Sequence, residues 1–419
     1  MKMTRRLLCA MAPSLAAGWA QAPAAKPAGP LEPVPPARPA GPERAFREIP
    51  ELPPEPASAI TGLYAGMQWK LQRYVDADET AAMLNDLAMA TAQRGMAVGT
   101  LLQKGREESQ ALVTRDGGKT WTAVKLKDFP LSERVIDDSR AYLMGEEALW
   151  FTNEGGLEWQ KRKLPKEARR KRMLRAHFVD EKRGWIFGEG KTFFATTDGG
   201  LTWQKVPESA AVQLKDENTL WTWMNFVSPE LALMVGHSAA PPRDSSRFPP
   251  WMMPERALRR AVTPSTTVLA ESRNAGRTWK VSMTSAFGAV TRLRTLGTRG
   301  FAIYHYGDGM EFPSEVYALD LSTGGSKPFF RRRDLWVHDA VPLHDGGALV
   351  AAIEPPGRLR TSPIPGRLRI FYTPSGERWF EMKVDYHAVG RRAVLARVDD
   401  RNVWAATDEG TILHLEIPD

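Results

Sequence analysis

The chain has 419 residues, enough for one large domain or for two to three average ones. With 42% hydrophobic and 25% charged residues it has the composition of a folded protein, and no apolar run is long enough for a membrane span. Its single cysteine, Cys9, excludes a disulfide framework and any metal site built from cysteines, while the formal charge of +8 indicates an acidic partner or surface.

Residues 1–20 have the pattern of an export signal. Three basic residues in the first six precede a weakly apolar stretch, and Gly18-Trp19-Ala20 fits a small-x-small cleavage site. The pair Arg5-Arg6 also fits the twin-arginine route, so general export and twin-arginine export both agree with the sequence. We predict an exported protein, periplasmic or extracellular, either free or associated with a membrane.

Residues 21–59 form a segment rich in proline and alanine. Twelve prolines stand between positions 22 and 58, and such a stretch neither pairs in a sheet nor buries apolar area. We predict a semi-rigid spacer that holds the folded part, residues 60–419, away from its surroundings. Recognition of the proline-rich segment by another protein is the alternative.

A repeated segment of about eight residues dominates the rest of the chain. Its copies are Thr114–Trp121, Thr152–Trp159, Thr196–Trp203, Ser272–Trp279 and Tyr372–Trp379, and in each a glycine stands three residues before the tryptophan. The residues to which we assign a structural role in these copies are Asp116, Gly118, Trp121, Gly156, Trp159, Asp198, Gly200, Trp203, Gly276, Trp279, Gly376 and Trp379. Repeats of this kind indicate an architecture of stacked or radially arranged units.

The repeat is suited to a tight turn between two strands. An aspartate side chain can accept hydrogen bonds from amides within the turn, and glycine supplies the positive φ that the bend needs. The tryptophan then opens the next strand and packs over a neighbouring hairpin. The motif resembles the Asp-box, or bacterial neuraminidase repeat, of β-propellers.

Short strand patterns precede the repeats in groups of three, at the spacing of propeller blades. Trp159 follows Trp121 by 38 residues and Trp203 follows Trp159 by 44. We predict an all-β, seven-bladed propeller of four-stranded blades. The seventh unit contains only three strands, so we expect Gly66–Tyr74 to complete it, with Trp69 beside Thr411–Leu415. The pattern of residues 78–92 also fits a short helix before the first inner strand.

The segment Gly184-Trp185-Ile186-Phe187-Gly188-Glu189-Gly190, followed by Thr196–Trp203, points to a more specific family. It is similar to the photosystem II stability/assembly factor family, which also has relatives in non-photosynthetic bacteria. The resemblance covers roughly residues 60–417, with Glu154 and Asn274 in place of the motif aspartate and a fifth unit that lacks the motif tryptophan. It implies an exported seven-bladed propeller with a non-catalytic, partner-binding role.

Basic residues are concentrated on one predicted face. In a four-stranded antiparallel blade, the turns between strands one and two and between strands three and four lie on one face, which we call the hairpin face. The turns between strands two and three and the blade-to-blade connectors lie on the other, the connector face. The segment 161–175 of that face carries nine basic residues and one acidic residue.

Clustered arginines favour bidentate capture of carboxylate or phosphate groups. We therefore predict that the connector face of a monomeric propeller docks an acidic protein segment or a membrane-protein client, with an anionic lipid surface as another partner of suitable charge. The predicted contact residues are Arg169, Arg170, Lys171, Arg172, Arg175, Arg256, Arg259, Arg260, Arg331, Arg332, Arg333, Arg358, Arg360, Arg391 and Arg392. The insertion 237–268 also carries an apolar group at 251–253, which either contacts a partner or tucks onto its blade.

The alternative function is a sialidase-like glycoside hydrolase or a carbohydrate-binding surface protein, because Asp-box propellers also house sialidases. The residues that could contribute are Tyr304, Tyr306, Asp308, Glu311 and Arg292, and they do not form the set of three arginines, tyrosine, glutamate and aspartate that such an enzyme needs. The scattered histidines match no common zinc motif. We predict no catalytic residue, no metal, no cofactor and no nucleic-acid partner.

Overall fold

The computed structural model describes residues 54–210, 212–239, 265–306, 310–355 and 366–418. Within these ranges the chain is almost entirely β structure, arranged as seven sheets that follow one another along the sequence. The predicted all-β, seven-bladed propeller is confirmed. Residues 80–89, within the segment that also fitted a short helix, form a strand.

The first six blades each use four consecutive strands. Blade one contains β3 (Thr80–Met89), β4 (Gly95–Gln103), β5 (Arg106–Thr114) and β6 (Thr122–Lys125). Blade two contains β7 (Pro130–Val135), β8 (Ala141–Gly145), β9 (Leu149–Thr152) and β10 (Gln160–Arg162). Blade three contains β11 (Met173–Phe178), β12 (Gly184–Gly188), β13 (Phe193–Thr196) and β14 (Gln204–Lys205).

The remaining strands complete the ring. Blade four contains β15 (Thr219–Phe226), β16 (Ala232–Ser238), β17 (Ser265–Ser272) and β18 (Lys280–Ala286). Blade five contains β19 (Ala289–Leu296), β20 (Arg299–His305), β21 (Ser314–Asp320) and β22 (Gly325–Arg331). Blade six contains β23 (Trp336–Pro342), β24 (Ala348–Ile353), β25 (Leu368–Thr373) and β26 (Phe380–Met382). Blade seven contains β27 (Ala393–Arg397), β28 (Val403–Thr407), β29 (Ile412–Glu416) and β2 (Gln68–Arg73).

The ring closes where the sequence predicted. Strand β2 lies antiparallel to β29, with Trp69 opposite Leu415, and both side chains are buried. An early strand thus becomes the outer strand of the last blade. This pairing removes the open edge that β29 would otherwise present.

Residues just before this closure contact the neighbouring blade. Strand β1 (Glu55–Pro56) pairs in parallel with β26, and Glu55 accepts a hydrogen bond of 2.6 Å from Arg378. Ile60 is buried among residues of blades six and seven. The last residues of the segment predicted as a spacer are therefore attached to the propeller. The predicted export signal and the rest of the spacer lie outside the described residues.

The core consists of apolar layers between neighbouring blades. Between blades three and four, Trp185 and Phe193 meet Trp221 and Trp279, with the rings of Trp185 and Trp279 6.4 Å apart. The seam between blades seven and one has the same construction, because Trp404 packs in one cluster with Leu84, Leu87 and other residues of blade one. Such burial is the main stabilising term for a chain without disulfides.

The repeated motif forms the turn between the third and fourth strands. In blade three, the Gly200 amide donates to the Thr196 hydroxyl at 2.9 Å and the Thr202 amide donates to the Asp198 carboxylate at 2.9 Å. Gly200 has a φ of +82°, which any other residue adopts only with strain. The Thr202 hydroxyl, followed by the turn's amides, lowers the pKa of Asp198 to about 2.

These turns also connect neighbouring blades. The indole nitrogen of Trp404 in blade seven donates to Gly117 O in blade one at 3.1 Å, and the Tyr142 hydroxyl in blade two donates to Gly199 O in blade three at 3.3 Å. The motif therefore holds both its own hairpin and the adjacent blade. Its aspartates have a structural role in the turn and do not face the central channel.

Candidate functional site

The predicted contact residues that the structure describes lie on the connector face or in the channel that opens there. Arg169 and Arg170 belong to a short 3-10 helix, Ala168–Arg170, and Lys171 and Arg172 follow it. All four side chains are exposed, whereas Ala168 is buried in the apolar layer between blades two and three and anchors the connector there. The sequence therefore combines one small buried residue with a row of outward-facing cations.

The positive charges of residues 169–172 are not balanced by carboxylates of the described part of the chain. Within the described ranges no carboxylate forms an ion pair with Arg169, Arg170, Lys171 or Arg172. The acidic residue of the segment, Glu167, is occupied by Lys205 at 2.6 Å. We call Arg169–Arg172 the free basic cluster.

The arginines at 331–333 differ, because each one contacts a carboxylate. Arg331 donates to Glu315 at 3.2 Å and Arg332 to Asp334 at 2.9 Å. Arg333 pairs with Glu311. Most of the positive charge that the sequence assigned to this connector is therefore balanced locally.

Arg391 and Arg392 lie at the mouth of the central channel. Their amides donate to the Asp408 carboxylate at 2.8 and 3.0 Å, which fixes the start of β27, and both side chains are exposed. They line a cavity of about 420 Å³, the mouth cavity, which also includes Arg175 and Arg292. The connector face thus contains a basic concave site in addition to the free basic cluster.

Histidines form part of the wall of the mouth cavity. The His305 Nε2 atom lies 2.6 Å from Val337 O, and its ring stands edge-on to that of His338 at 5.4 Å. Burial, followed by the charges of His305 and Arg292, lowers the pKa of His338 to about 3. His338 is therefore neutral at physiological pH, so the positive charge of this cavity comes from its arginines.

Arg175 lies deeper than the sequence suggested. It is part of inner strand β11, donates to Asp86 across the channel at 2.9 Å, and lies 4.0 Å from the centre of the Trp223 ring. Arg175 lines the channel between blades and is not part of the exposed connector. Arg256, Arg259, Arg260, Arg358 and Arg360, together with the apolar group at 251–253, lie outside the described residues.

A repeated β-bulge directs polar side chains into the channel. Six of the seven inner strands contain a shift of register, and the residue after the shift is Asp86, Ser132, Arg175, Trp223, Arg292 or Asp339. Bulges re-aim side chains in this way. Five of these residues, all except Ser132, form a contact network across the channel, which we call the channel layer.

Trp223 and Asp339 are the centres of the channel layer. The guanidinium groups of Arg175, Arg292 and Arg294 lie 4.0, 4.6 and 5.0 Å from the Trp223 ring centre, within the range of cation–π attraction. Arg294 donates to Asp339 at 2.6 Å, and Arg292 contacts the same carboxylate. Burial would raise the pKa of Asp339, but Arg292 and Arg294 outweigh it and bring that pKa to about 2.

Sequence reasoning missed the channel layer. Asp86 and Asp339 were not singled out, although each is a charged residue within an apolar strand pattern near the start of a blade. That recurrence at one position of the repeat was the available signal. The pairing of Asp86 with Arg175, 89 residues away, could not be read from the sequence, because it depends on how the bulges orient both side chains.

The residues considered for a hydrolase do not form a reactive site in the described ranges. Tyr306 donates to Glu315 at 2.7 Å, but burial, with the Glu315 charge adding to it, raises the pKa of Tyr306, which opposes a nucleophilic role. Arg292 is paired with Asp339, and Asp308 lies outside the described residues. Nor do the described histidines and carboxylates form a group of three that could hold a metal ion.

The fold and these sites define a seven-bladed β-propeller with a basic connector face. Residues 123–236 match the family described as photosynthesis system II assembly factor YCF48. The photosystem II assembly lipoprotein Ycf48 of Synechococcus sp. (strain CC9902) is 25% identical over 177 residues, which are 42% of this chain and 43% of that relative. The aligned part thus spans less than half of the relative's length. Over these residues the chain is similar to photosystem II assembly factors, which agrees with the resemblance predicted from the sequence.

Solved structures with the same fold are related only distantly in sequence. YCF48 bound to D1 peptide aligns with a TM-score of 0.53 and 14% identity, covering 83% of this chain and 99% of that one. YCF48 from Cyanidioschyzon merolae gives 0.53 and 13%, covering 83% and 98%. A GH74 xyloglucanase from Xanthomonas campestris gives 0.51 and 13%, covering 83% and 53%. At these identities the likeness establishes the fold alone. Among the residues that the structure describes, none of the helices has the length and the hydropathy of a membrane span.

Proposed function

We propose that this protein is a non-catalytic binding and assembly factor that docks an acidic segment of a client protein on its connector face. One observation carries the proposal: the free basic cluster, Arg169–Arg172, and the mouth cavity with Arg391 and Arg392 lie on the same face. A rigid scaffold that presents exposed arginines attracts carboxylates over a distance and then binds them bidentately.

The relatives support a protein segment as the ligand. One relative is named for photosystem II assembly, and a protein of the same fold was solved with a D1 peptide. For this chain we infer a comparable role, in which the propeller binds a segment of a client protein, and we take a membrane protein as the client. The acidic character of that segment is our inference from the charge of the connector face.

Export is also part of the proposal. Residues 1–20 would direct the chain out of the cytoplasm, and the proline-rich segment after them would separate the propeller from the membrane or from its export machinery. The relative described as a lipoprotein is compatible with such a location. In this setting a monomeric propeller would present its connector face to a membrane-protein client or to anionic headgroups.

Binding of a defined acidic peptide tests the proposal. The probe is a fluorescein-labelled peptide of about ten residues with four glutamates, and its matched control carries glutamine at those positions. We expect saturable binding of the glutamate peptide that weakens as salt rises from about 50 to about 200 mM, because exposed charges are screened over about 10 Å at 0.1 M salt. Equal binding of both peptides, or affinity that does not depend on salt, would refute docking through charge.

The hydrolase alternative makes a different prediction and needs no client. Turnover of fluorogenic sialosides or other glycosides by the purified protein would contradict the non-catalytic assignment. A propeller that binds the acidic peptide and turns over none of these substrates agrees with the proposal.

A further inference from the structure

The channel contains a second cavity, of about 180 Å³, on the hairpin-face side of the channel layer. Its wall includes the last residues of several inner strands, such as Met89, Val135 and Asn225, which lead into the turns of that face. We call it the lower cavity. It is separate from the free basic cluster and lies on the opposite side of the channel layer from the mouth cavity.

Titratable side chains from six of the seven blades lie at or near the lower cavity, and blade four contributes the uncharged Trp223 and Asn225 of β15. The titratable residues are Asp86 of β3, Glu133 and Arg134 of β7, Arg175 and His177 of β11, Arg292 and Arg294 of β19, Asp339 of β23 and Arg397 of β27. Asp86 and Asp339 are bonded to Arg175, Arg292 and Arg294, so two carboxylates serve three guanidinium groups. Arg397 is paired with Asp400 at 3.0 Å.

Arg134 has no carboxylate partner among the described residues. Its Nε donates to Phe178 O at 3.0 Å, a bond to a neutral group. Burial, followed by the charge of Arg294, lowers the pKa of Arg134 to about 10. A half-buried cation without a carboxylate partner is costly, so the region around Arg134 carries an excess of positive charge that a bound anion would balance.

Two further groups in this wall lack hydrogen-bond partners. Both carboxyl oxygens of Glu133 are buried without a partner, and so is Nε2 of His177. Burial, with the Asp86 charge adding to it, raises the pKa of Glu133, while burial lowers that of His177. A protonated carboxyl and a neutral imidazole can each donate a hydrogen bond. The unsatisfied groups can therefore act as donors toward an anion.

We propose that the lower cavity binds a small oxyanion, of the size of acetate or phosphate, with Arg134 as its charge partner and Glu133 and His177 as hydrogen-bond donors. The volume equals about six water molecules, so it excludes a peptide segment. Water alone would satisfy the hydrogen bonds but not the excess charge beside Arg134. This site is independent of client docking, because its residues lie beyond the channel layer.

Calorimetric titration of the full chain with inorganic phosphate, and separately with acetate, tests the proposal. We expect saturable binding of one of the two anions, and which one binds distinguishes a phosphate site from a carboxylate site. The variant R134Q should weaken that binding at least about tenfold, which corresponds to the loss of about 1.4 kcal/mol. R134K, which keeps the charge, and E133Q, which keeps a neutral donor, should retain most of it.

The control variant R169Q/R170Q/R172Q should bind the anion as the native chain does. Circular dichroism and thermal unfolding establish that each variant is folded, and the anion should raise the unfolding temperature of the native chain but not that of R134Q. The absence of saturable binding of both anions to the native chain would overturn the proposal. Equal affinity of R134Q, or loss of binding in the connector control, would do the same.

Discussion

The channel layer and the free basic cluster use the same side chain in opposite ways. In the channel, Arg292 and Arg294 surround Asp339, whose side chain is fully buried, and their charge is used within the molecule. On the connector, Arg169 and Arg170 are exposed and have no carboxylate partner in the described part of the chain. Burial with a partner stabilises the fold, whereas exposure without a partner leaves charge available for another molecule.

The connector at 331–335 lies between these extremes. Arg332 is part of the same predicted basic face, yet Asp334 holds it with two hydrogen bonds of 2.9 and 3.1 Å. An arginine in a connector is therefore not by itself a binding residue. What decides its role is whether a carboxylate of the same chain already occupies its donors.

Substitution of the buried Asp339 tests whether the channel layer stabilises the fold, and we expect it to have the largest effect. The substitution D339N leaves Arg292 and Arg294 without their anion, and breaking a buried pair in this way costs about 3–5 kcal/mol. We expect the free energy of unfolding, measured by urea denaturation, to fall by that amount. D334N is the matched control, with an expected loss below about 1 kcal/mol because Asp334 is exposed. Equal losses in the two variants would mean that the channel layer is not a stabilising element.

Charge reversal of the free basic cluster tests the binding side. The variant R169E/R170E/R172E should weaken binding of the glutamate peptide by about 100-fold at low salt, since each exposed charge contributes about 1 kcal/mol. Fluorescence anisotropy measures the affinity, and urea denaturation should give an unchanged stability. The matched variant R332E/R333E should lose less, because both arginines already contact carboxylates. If it loses as much as the triple variant, local pairing does not decide availability.

The two regions should also respond differently to pH. The folded-state pKa of Asp339, about 2, lies below its ordinary value of 3.8, so its contribution to stability is complete above about pH 4 and is lost as the pH falls toward 2. The difference between the unfolding free energies of the native chain and of D339N should therefore shrink by about 2 kcal/mol between pH 5 and pH 2. Peptide affinity should stay constant between about pH 6 and 9, because arginine does not titrate there. A stability difference that is constant with pH would contradict the low pKa.

The sequence was sufficient for the fold because each blade carries its own signals. The glycine and aspartate of the turn around Asp198 and the spacing of the tryptophans gave both the hairpins and the blade count. The seventh unit, which contains only three strands in sequence order, predicted the pairing of Trp69 with the last strand, where Trp69 lies opposite Leu415. The assignment of the basic connectors to one face followed from topology alone, because successive turns of an antiparallel blade lie alternately on the hairpin face and on the connector face.

The charge balance of the site was not accessible in the same way. Arg331 and Arg169 both belong to basic runs in the sequence. Arg331 nevertheless has a carboxylate partner, because the register of β21 and β22 places it opposite Glu315. Arg175 was placed on the connector because it ends a basic run, whereas the bulge in β11 points it into the channel toward Asp86. Such pairings depend on side-chain direction, which the positions of strands do not specify.

The substitution D334N, which removes the partner of Arg332, should change peptide affinity the least of these variants. It compares the same arginine with and without a carboxylate partner. In D334N the Arg332 guanidinium loses its anion, and the part of that side chain that is exposed, 21%, becomes available to another carboxylate. We expect the glutamate peptide to bind up to about threefold more tightly, the gain of one exposed charge contact. The same substitution in the background R169E/R170E/R172E should give a similar relative gain if the two connectors act independently. Unchanged affinity in both backgrounds would mean that the peptide does not contact the connector between blades five and six. Docking would then be restricted to the part of the connector face around the free basic cluster.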